Sequence, residues 1–263
     1  MIATEPIEDF LVTVLWTSKI ENANPLSVIL HAPSAGGKSS IIRKLQGHRF
    51  ECPITRLHTD LTTREISKAV RERDIHFILL SDLQAVFAHK NTVISMTVQA
   101  LRNLTAEGIY NDPFSGERVE KKLGFIAGVP TDTLNDDGYR KLTFFTRGDM
   151  ASRFIQVKYE YKRATLLKIH DSIEHDTPDT PLKDLPEDAD LIKVHMSEDI
   201  AKKVRKLSDS LRGRGDVGTR IHHQLRTLTR AYAVRCGREK TEEKDYDYVA
   251  SFSDFVKGDE RVI

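Results

Sequence analysis

Short apolar runs separated by segments of helical spacing constrain this chain more than any other feature. SVILH at 27–31, ITRLH at 54–58, IHFILLSD at 75–82, LGFIAGV at 123–129 and RFIQVKY at 153–159 read as strands. The runs at 75–82 and 123–129 lack alternation of apolar and polar residues, as parallel strands covered on both faces do. Between the strands, Ile41, Ile42 and Leu45 mark a helix over 39–46, and TTREISKAVRER marks a second with Thr62 as its N-cap. Ile94, Val98, Leu101 and Leu104 mark a third. Strand and helix in alternation predict a three-layer α/β core around a parallel sheet, because each parallel pair needs a crossover and the crossover helices cover the faces.

An amphipathic helix precedes that core, with Ile7, Phe10, Leu11, Val14 and Leu15 on one side, and Asn24-Pro25 ends the region. GIYNDPFSGERVEKK carries turn signals at Asn111-Asp112-Pro113 and Ser115-Gly116, which predicts a hairpin insert over 109–122. After the fifth run the composition changes: 171–190 places three prolines among many carboxylates and reads as an exposed connector. Three amphipathic segments follow, over about 197–211, 218–236 and 241–256. The expected organisation is an N-terminal helix at 1–26, an α/β core at 27–170, an acidic linker at 171–195 and a small all-α domain at 196–263.

Forty Lys and Arg against 39 Asp and Glu leave a formal charge of +1, so attraction to nucleic acid has to come from local clusters. Cys52 and Cys236 are too few for a disulfide framework and read as reduced structural thiols. His222 and His223 point to different helix faces, and His58, His76 and His89 have no evident partner, so no metal-ligand spacing emerges. The sequence holds no apolar run of about 18 residues, and Glu5, Glu8 and Asp9 interrupt a leader-like N-terminus. A soluble, cytoplasmic chain without a membrane partner is expected.

Between the first strand and its helix stands APSAGGKS, residues 32–39. A loop of the form G-x-x-x-x-G-K-[S/T] in that position cradles phosphates with backbone N–H groups and the helix N-terminus, while its lysine reaches the terminal phosphates and its hydroxyl holds Mg²⁺. Pro33, Ser34, Ala35, Gly36, Gly37, Lys38, Ser39 and Ser40 are the expected contacts, with ATP and Mg²⁺ as ligands. Ala32 replaces the opening glycine, which is tolerated if its φ is negative, and the extra Gly36 keeps the crest free to bend. Such a loop needs a carboxylate at the end of a neighbouring strand for the metal, usually followed by a glutamate that orients the attacking water. FILLSDLQ offers Asp82 without the glutamate. If the usual pair lies on Ser81-Asp82, Asp82 takes the water-activating position; if Asp82 serves the metal, Gln84, Asp60 or Glu65 is left to assist.

The order of these pieces resembles AAA+ ATPases, and among them the motor domain of minichromosome maintenance (MCM) helicases and related ATPases of phages and mobile elements, from residue 27 to about 250. GDMASRFIQVKY is similar to the family's L-S-R-F segment, whose arginine reaches into the neighbouring subunit's nucleotide; this implies that role for Arg153, with Arg147 as its competitor. GTRIHHQLRTLTRAYAV resembles the lid helix whose first arginine touches the γ-phosphate, which implies Arg220. GREKTEEKDYDYV resembles the last lid helix, with Thr241 as its cap and Glu242 and Glu243 in the first turn. The resemblance implies a P-loop NTPase core followed by an all-α lid, a ring or filament of identical copies with a hexamer favoured, and DNA met by a pore hairpin at 109–122. One departure is chemical: GFIAGVPTDT has Val129 where a polar residue should polarise the attacking water, leaving Thr131 or Thr133 for that role.

A guanidinium's planar fork stabilises charge on a transferring phosphoryl group, and its supply by a neighbour makes hydrolysis depend on assembly. For DNA, Arg118, Lys121 and Lys122 beside the hairpin turn are the expected phosphate contacts, with Tyr110 and Phe114 as nearby aromatics. The lid adds Arg212, Arg214, Arg226, Arg230, Arg235, Arg238 and Lys240. The expected function is an oligomeric ATPase acting on DNA, as a helicase-like motor or helicase loader in phage or mobile-element replication, with a replication or mobile-element protein as a further partner. The other reading is an ATP-dependent switch or remodelling adaptor on a protein partner, with slow hydrolysis.

Overall fold

The computed structural model describes residues 5–34, 36–46, 52–131, 151–159, 182–187, 190–211 and 219–253. The apolar runs become strands: β1 (Ser27–Ala32), β2 (Thr55–His58), β3 (Phe77–Leu80), β6 (Gly124–Pro130) and β7 (Phe154–Lys158), with the short pair β4 (Ile109–Asn111) and β5 (Arg118–Glu120) between them. The helices are α1 (Glu5–Trp16), α2 (Lys38–Lys44), α3 (Thr63–Arg71), α4 (Gln84–Phe87), α5 (Asn91–Ala106), α6 (Glu198–Leu211), α7 (Thr219–Arg235) and α8 (Glu243–Ser251). Thr62 caps α3 as expected, its hydroxyl accepting the Glu65 N–H at 3.4 Å.

Five strands form one parallel sheet in the order β2-β3-β6-β1-β7, and β4 and β5 pair antiparallel as the separate hairpin. Every residue of β1, β3 and β6 is buried, the physical reason that these runs lack a polar face. Val28, Leu30 and Ala32 pack with Ile41, Ile42 and Leu45 of α2 on one face, whereas Ile29 packs with the α3, α4 and α5 side chains on the other. The architecture is therefore a three-layer α/β core of P-loop type, with β1 and its loop near the middle of the sheet.

The N-terminal helix joins the helical C-terminal part. Phe10, Leu11 and Leu15 share one apolar cluster with Ile200, Val204, Leu225, Leu228 and Phe252. Polar ties lie beside it: Arg235 meets the Asp9 carboxylate at 2.6 Å and the Thr13 hydroxyl at 3.0 Å, and Thr13 bonds the Tyr248 hydroxyl at 2.8 Å. Residues 182–187 of the acidic connector lie along the same face, where the Trp16 indole donates to the Asp184 carbonyl at 2.6 Å. No helix among the described residues is long and apolar enough to cross a membrane.

The expected cap of α8 needs correction. Glu242, not Thr241, is the N-cap, and it forms a reciprocal capping box with Asp245. Thr241 is buried one residue earlier because its N–H donates to the His195 carbonyl at 3.0 Å, in a short pairing of His195 with Lys240.

Gly124 opens β6 where the sheet leaves no room for a side chain. A Cβ there would lie 2.3 Å from Cε1 of Phe77 and 2.9 Å from the Leu26 carbonyl. Gly124→Ala is expected to lower unfolding free energy by about 3 kcal/mol, as overpacking against backbone does. Urea unfolding of the variant and of Gly124→Ala/Phe77→Leu should show the second change recovering part of the loss.

Candidate functional site

The loop after β1 is shaped by two glycines. Gly37 adopts φ 72°, in the left-handed region, and caps the N-terminus of α2. A Cβ on Gly36 would lie 2.8 Å from the Pro33 carbonyl, whose oxygen accepts the Gly36 N–H at 3.0 Å. Ala32 lies in β1 and is not among the residues of positive φ, so the missing opening glycine is tolerated. The Lys38 ammonium is buried and donates to the carbonyls of Ala32 and Pro33 at 2.7 and 2.6 Å. Tyr159, just beyond β7, donates its hydroxyl to the Gly36 carbonyl at 3.0 Å and props the crest from below. Sequence reasoning missed Tyr159; its signal is a phenol closing an apolar run at the strand end nearest the loop.

The ends of the neighbouring strands lie against the loop. The Ser39 hydroxyl donates to the Ser81 carbonyl at 3.5 Å, and a Cβ on Gly128 would lie 2.7 Å from the same oxygen and 3.3 Å from Cβ of Lys38. The Ser81 main chain thus lies against the loop hydroxyl. Asp82 follows, with Oδ1 accepting the Gln84 N–H at 2.8 Å. Leu83, fully buried in the apolar cluster under α4, leaves no room there for an acid. Val129 is likewise buried, while Thr131 stands at the phosphate edge with its N–H on the Ala32 carbonyl at 3.1 Å.

Asp60 and Glu65 are engaged elsewhere, with histidines that the sequence left without partners. His89 Nε2 lies 2.9 and 2.7 Å from the two Asp60 oxygens. Glu65 pairs with Lys68 at 2.8 Å and with His58 at 3.7 Å, and the Lys68 hydrogen bond holds its carboxyl below the usual range. Burial lowers the His58 pKa despite that partner. Among the described residues no group of three or more His, Cys, Asp or Glu could hold a metal ion.

A second cavity, of 360 Å³, opens at the other end of β1. Asn24, Ser27, Arg153, Arg220, His223 and Arg230 are among its lining residues. Ser27 begins β1 and pairs in register with Phe154, next to Arg153, whereas the phosphate loop follows Ala32. Five rises of about 3.3 Å place the two ends about 17 Å apart. Arg220 donates to the Ser152 hydroxyl, Gln224 to the Ser152 carbonyl at 3.2 Å, and Arg153 to the Arg102 carbonyl at 3.3 Å. Arg220 thus stands beside Arg153 and not over its own phosphate loop.

The hairpin is docked on α3. Asp112 accepts the N–H groups of Phe114 and Ser115 at 2.8 and 3.4 Å and meets Arg71 at 2.8 Å; burial pushes its pKa up, but these partners outweigh burial and hold it low. Tyr110 is buried with its hydroxyl 2.6 Å from that of Ser67, so it offers no stacking face. Lys121 corrects the sequence reading: its ammonium donates to the Ala69 carbonyl at 3.4 Å and to that of Glu72, at the C-terminal end of α3 where a cation is favoured. Arg118, paired with Glu120 at 3.2 Å, and Lys122 stay exposed, as does Phe114 at 64%. At the end of α7 and just beyond it, Arg235 and Arg238 are committed to Asp9 and Asp245. Cys52 is buried, which pushes its thiol up to about 11, whereas Cys236 is exposed rather than structural. Ala35, Thr133, Arg147, Arg212 and Arg214 lie outside the described residues.

No protein-family model matches the chain, and no curated protein does. Among solved structures, the chain is similar to a full-length MCM homolog from Methanopyrus kandleri, with a TM-score of 0.58 and 13% identity. The match covers 97% of this chain and 56% of that one, so this chain spans about half the length of its neighbour. The likeness is one of fold.

Proposed function

We propose that the chain is an oligomeric AAA+ ATPase whose nucleotide is held between copies, and that its hydrolysis drives action on DNA as a helicase-like motor or helicase loader in phage or mobile-element replication. One observation carries this reading: the phosphate loop and the arginine cavity occupy opposite ends of β1. Arginines so placed complete the site of another copy, not their own. A ring, with a hexamer favoured, closes such head-to-tail contacts. In this reading α6, α7 and α8 form the lid, and the acidic linker joins it to the core.

Pro33 to Ser40 supply the phosphate contacts, with Lys38 exchanging the Ala32 and Pro33 carbonyls for phosphate oxygens. Mg²⁺ bound through Ser39 would neutralise charge on the phosphates. Asp82 stands where a glutamate is usual, one methylene short, and accepts the proton of the attacking water, while Thr131 polarises that water. The water oxygen bonds to the γ-phosphorus, the bond to the bridging oxygen breaks, and ADP and phosphate leave. Arg153 and Arg220 of the adjoining copy stabilise the charge on the transferring group. Arg118 and Lys122 meet the DNA backbone, and Lys121 anchors the hairpin that carries them.

The second reading, a slow ATP-dependent switch acting on a protein partner, draws support from the buried Leu83 and Val129 in place of two catalytic groups. Turnover with single-stranded DNA separates the two: stimulation supports the motor, and indifference supports the switch.

Mixing tests the shared site. Arg153→Ala and Lys38→Ala proteins are each expected to be inactive, whereas a 1:1 mixture restores about a quarter of the turnover because one in four interfaces combines an intact loop with an intact arginine. No recovery at any ratio would refute the shared site.

A further inference from the structure

Helix α7 turns one polar stripe into the arginine cavity. Arg220, His223, Thr227 and Arg230 recur at steps of three and four residues, and all four line it. Ten helical rises separate Arg220 from Arg230, about 15 Å, so the stripe is longer than one phosphate group needs. No Asp or Glu stands among the described lining residues.

Arg230 is the unusual member. It is half-buried, its Nε donates to the Arg226 carbonyl at 3.4 Å, and burial followed by the nearby Arg226 charge lowers its pKa, with no carboxylate among the described residues easing either effect. A guanidinium kept partly out of water without a counter-charge destabilises the lone protomer, and an arriving anion would offset that cost. The cavity, the helical register and the charge of its lining point to the same kind of visitor.

We propose that Arg230 is a third arginine of the shared site, one that contacts the polyphosphate chain of the nucleotide presented by the adjoining copy. This rests on the reading of the chain as an ATPase with its sites between copies. It assigns to the later part of α7 a binding role separate from that of Arg153 and Arg220.

The test uses Arg230→Met, which keeps an apolar stem, and Arg230→Lys. Arg230→Met is expected to lower ATP turnover about tenfold, chiefly by raising KM, while the nucleotide-free protein unfolds about 2 °C higher because a half-buried charge is gone. Arg230→Lys should regain part of the turnover. Mixing Arg230→Met with Lys38→Ala protein should restore activity, since the second supplies Arg230 in trans; a purely structural role within one copy gives no recovery. Calorimetry with inorganic tripolyphosphate, on Lys38→Ala protein whose own loop is disabled, should show at least tenfold weaker binding once Arg230→Met is added. Wild-type turnover and unchanged tripolyphosphate affinity in Arg230→Met, with Arg153→Ala still inactive, would overturn the assignment and leave the shared site standing. Full activity of Arg153→Ala would instead sink the shared site, and the tripolyphosphate result would then decide Arg230 alone. A drop of several degrees in unfolding temperature without recovery on mixing would make Arg230 a structural residue.

Discussion

Lys38→Ala is expected to abolish ATP turnover while leaving the fold in place. An ammonium about 4 Å from a phosphate oxygen contributes about 4 kcal/mol at an effective dielectric near 20, which corresponds to about a thousandfold in binding or rate. The cost to the free protein is small. Of the two carbonyls that Lys38 bonds, that of Ala32 keeps the Thr131 N–H at 3.1 Å and that of Pro33 keeps the Gly36 N–H at 3.0 Å, so neither is orphaned. Unfolding temperature should stay within about 3 °C of wild type. Calorimetric titration with ATP and a phosphate-release assay check both halves. Turnover within a factor of about two of wild type would remove the loop from the chemistry.

That contrast shows why this loop could be read from sequence. Its shape resides in consecutive residues whose contacts are local, as Gly37 at positive φ and Lys38 folding back on its own loop show. The strands were legible for a similar reason: Phe77–Leu80 and Gly124–Pro130 are buried throughout and therefore uniformly apolar. Thr62 was legible as a cap because its bond to Glu65 is local, but the Thr241 site depended on pairing with His195, forty-six positions away, and the cap moved to Glu242. Lys121 shows the same limit, since its bonds run to α3 and a three-residue strand carries too little periodicity to tell which way its neighbours turn. The arginine cavity was least legible of all. Arg153 and Arg220 were each singled out by motif, but their meeting at Ser152 requires the parallel register of β1 with β7 and the docking of α7 beneath it.

Acid is expected to weaken the fold through His31, a residue that motif reasoning passed over. It lies one position before the loop, 2% exposed, in register with Val129 and Lys158. Burial lowers its pKa to about 4, the Lys158 and Lys38 charges add to the shift, and Gln156 offsets part of it. The unfolded chain takes up a proton at His31 below its ordinary value of 6.5, but the folded chain does so only near 4. Stability from this group is therefore complete above pH 6.5 and is lost as pH falls towards 4, about 3 kcal/mol in all. His31→Phe replaces the imidazole with a ring that does not titrate. Near pH 7 the two proteins should differ by no more than about 1 kcal/mol, the repacking cost of a slightly larger ring. At pH 5 the variant should be more stable by about 2 kcal/mol relative to that baseline, since 1.5 of the 2.5 pH units have been crossed. Other histidines with lowered pKa values, His58, His76 and His222, titrate alike in both proteins, so the difference between the two isolates His31. Urea midpoints at pH 7, 6 and 5 supply the measurement. Parallel slopes for wild type and variant would mean that the native imidazole titrates as it does in the unfolded chain, as a wetted side chain would.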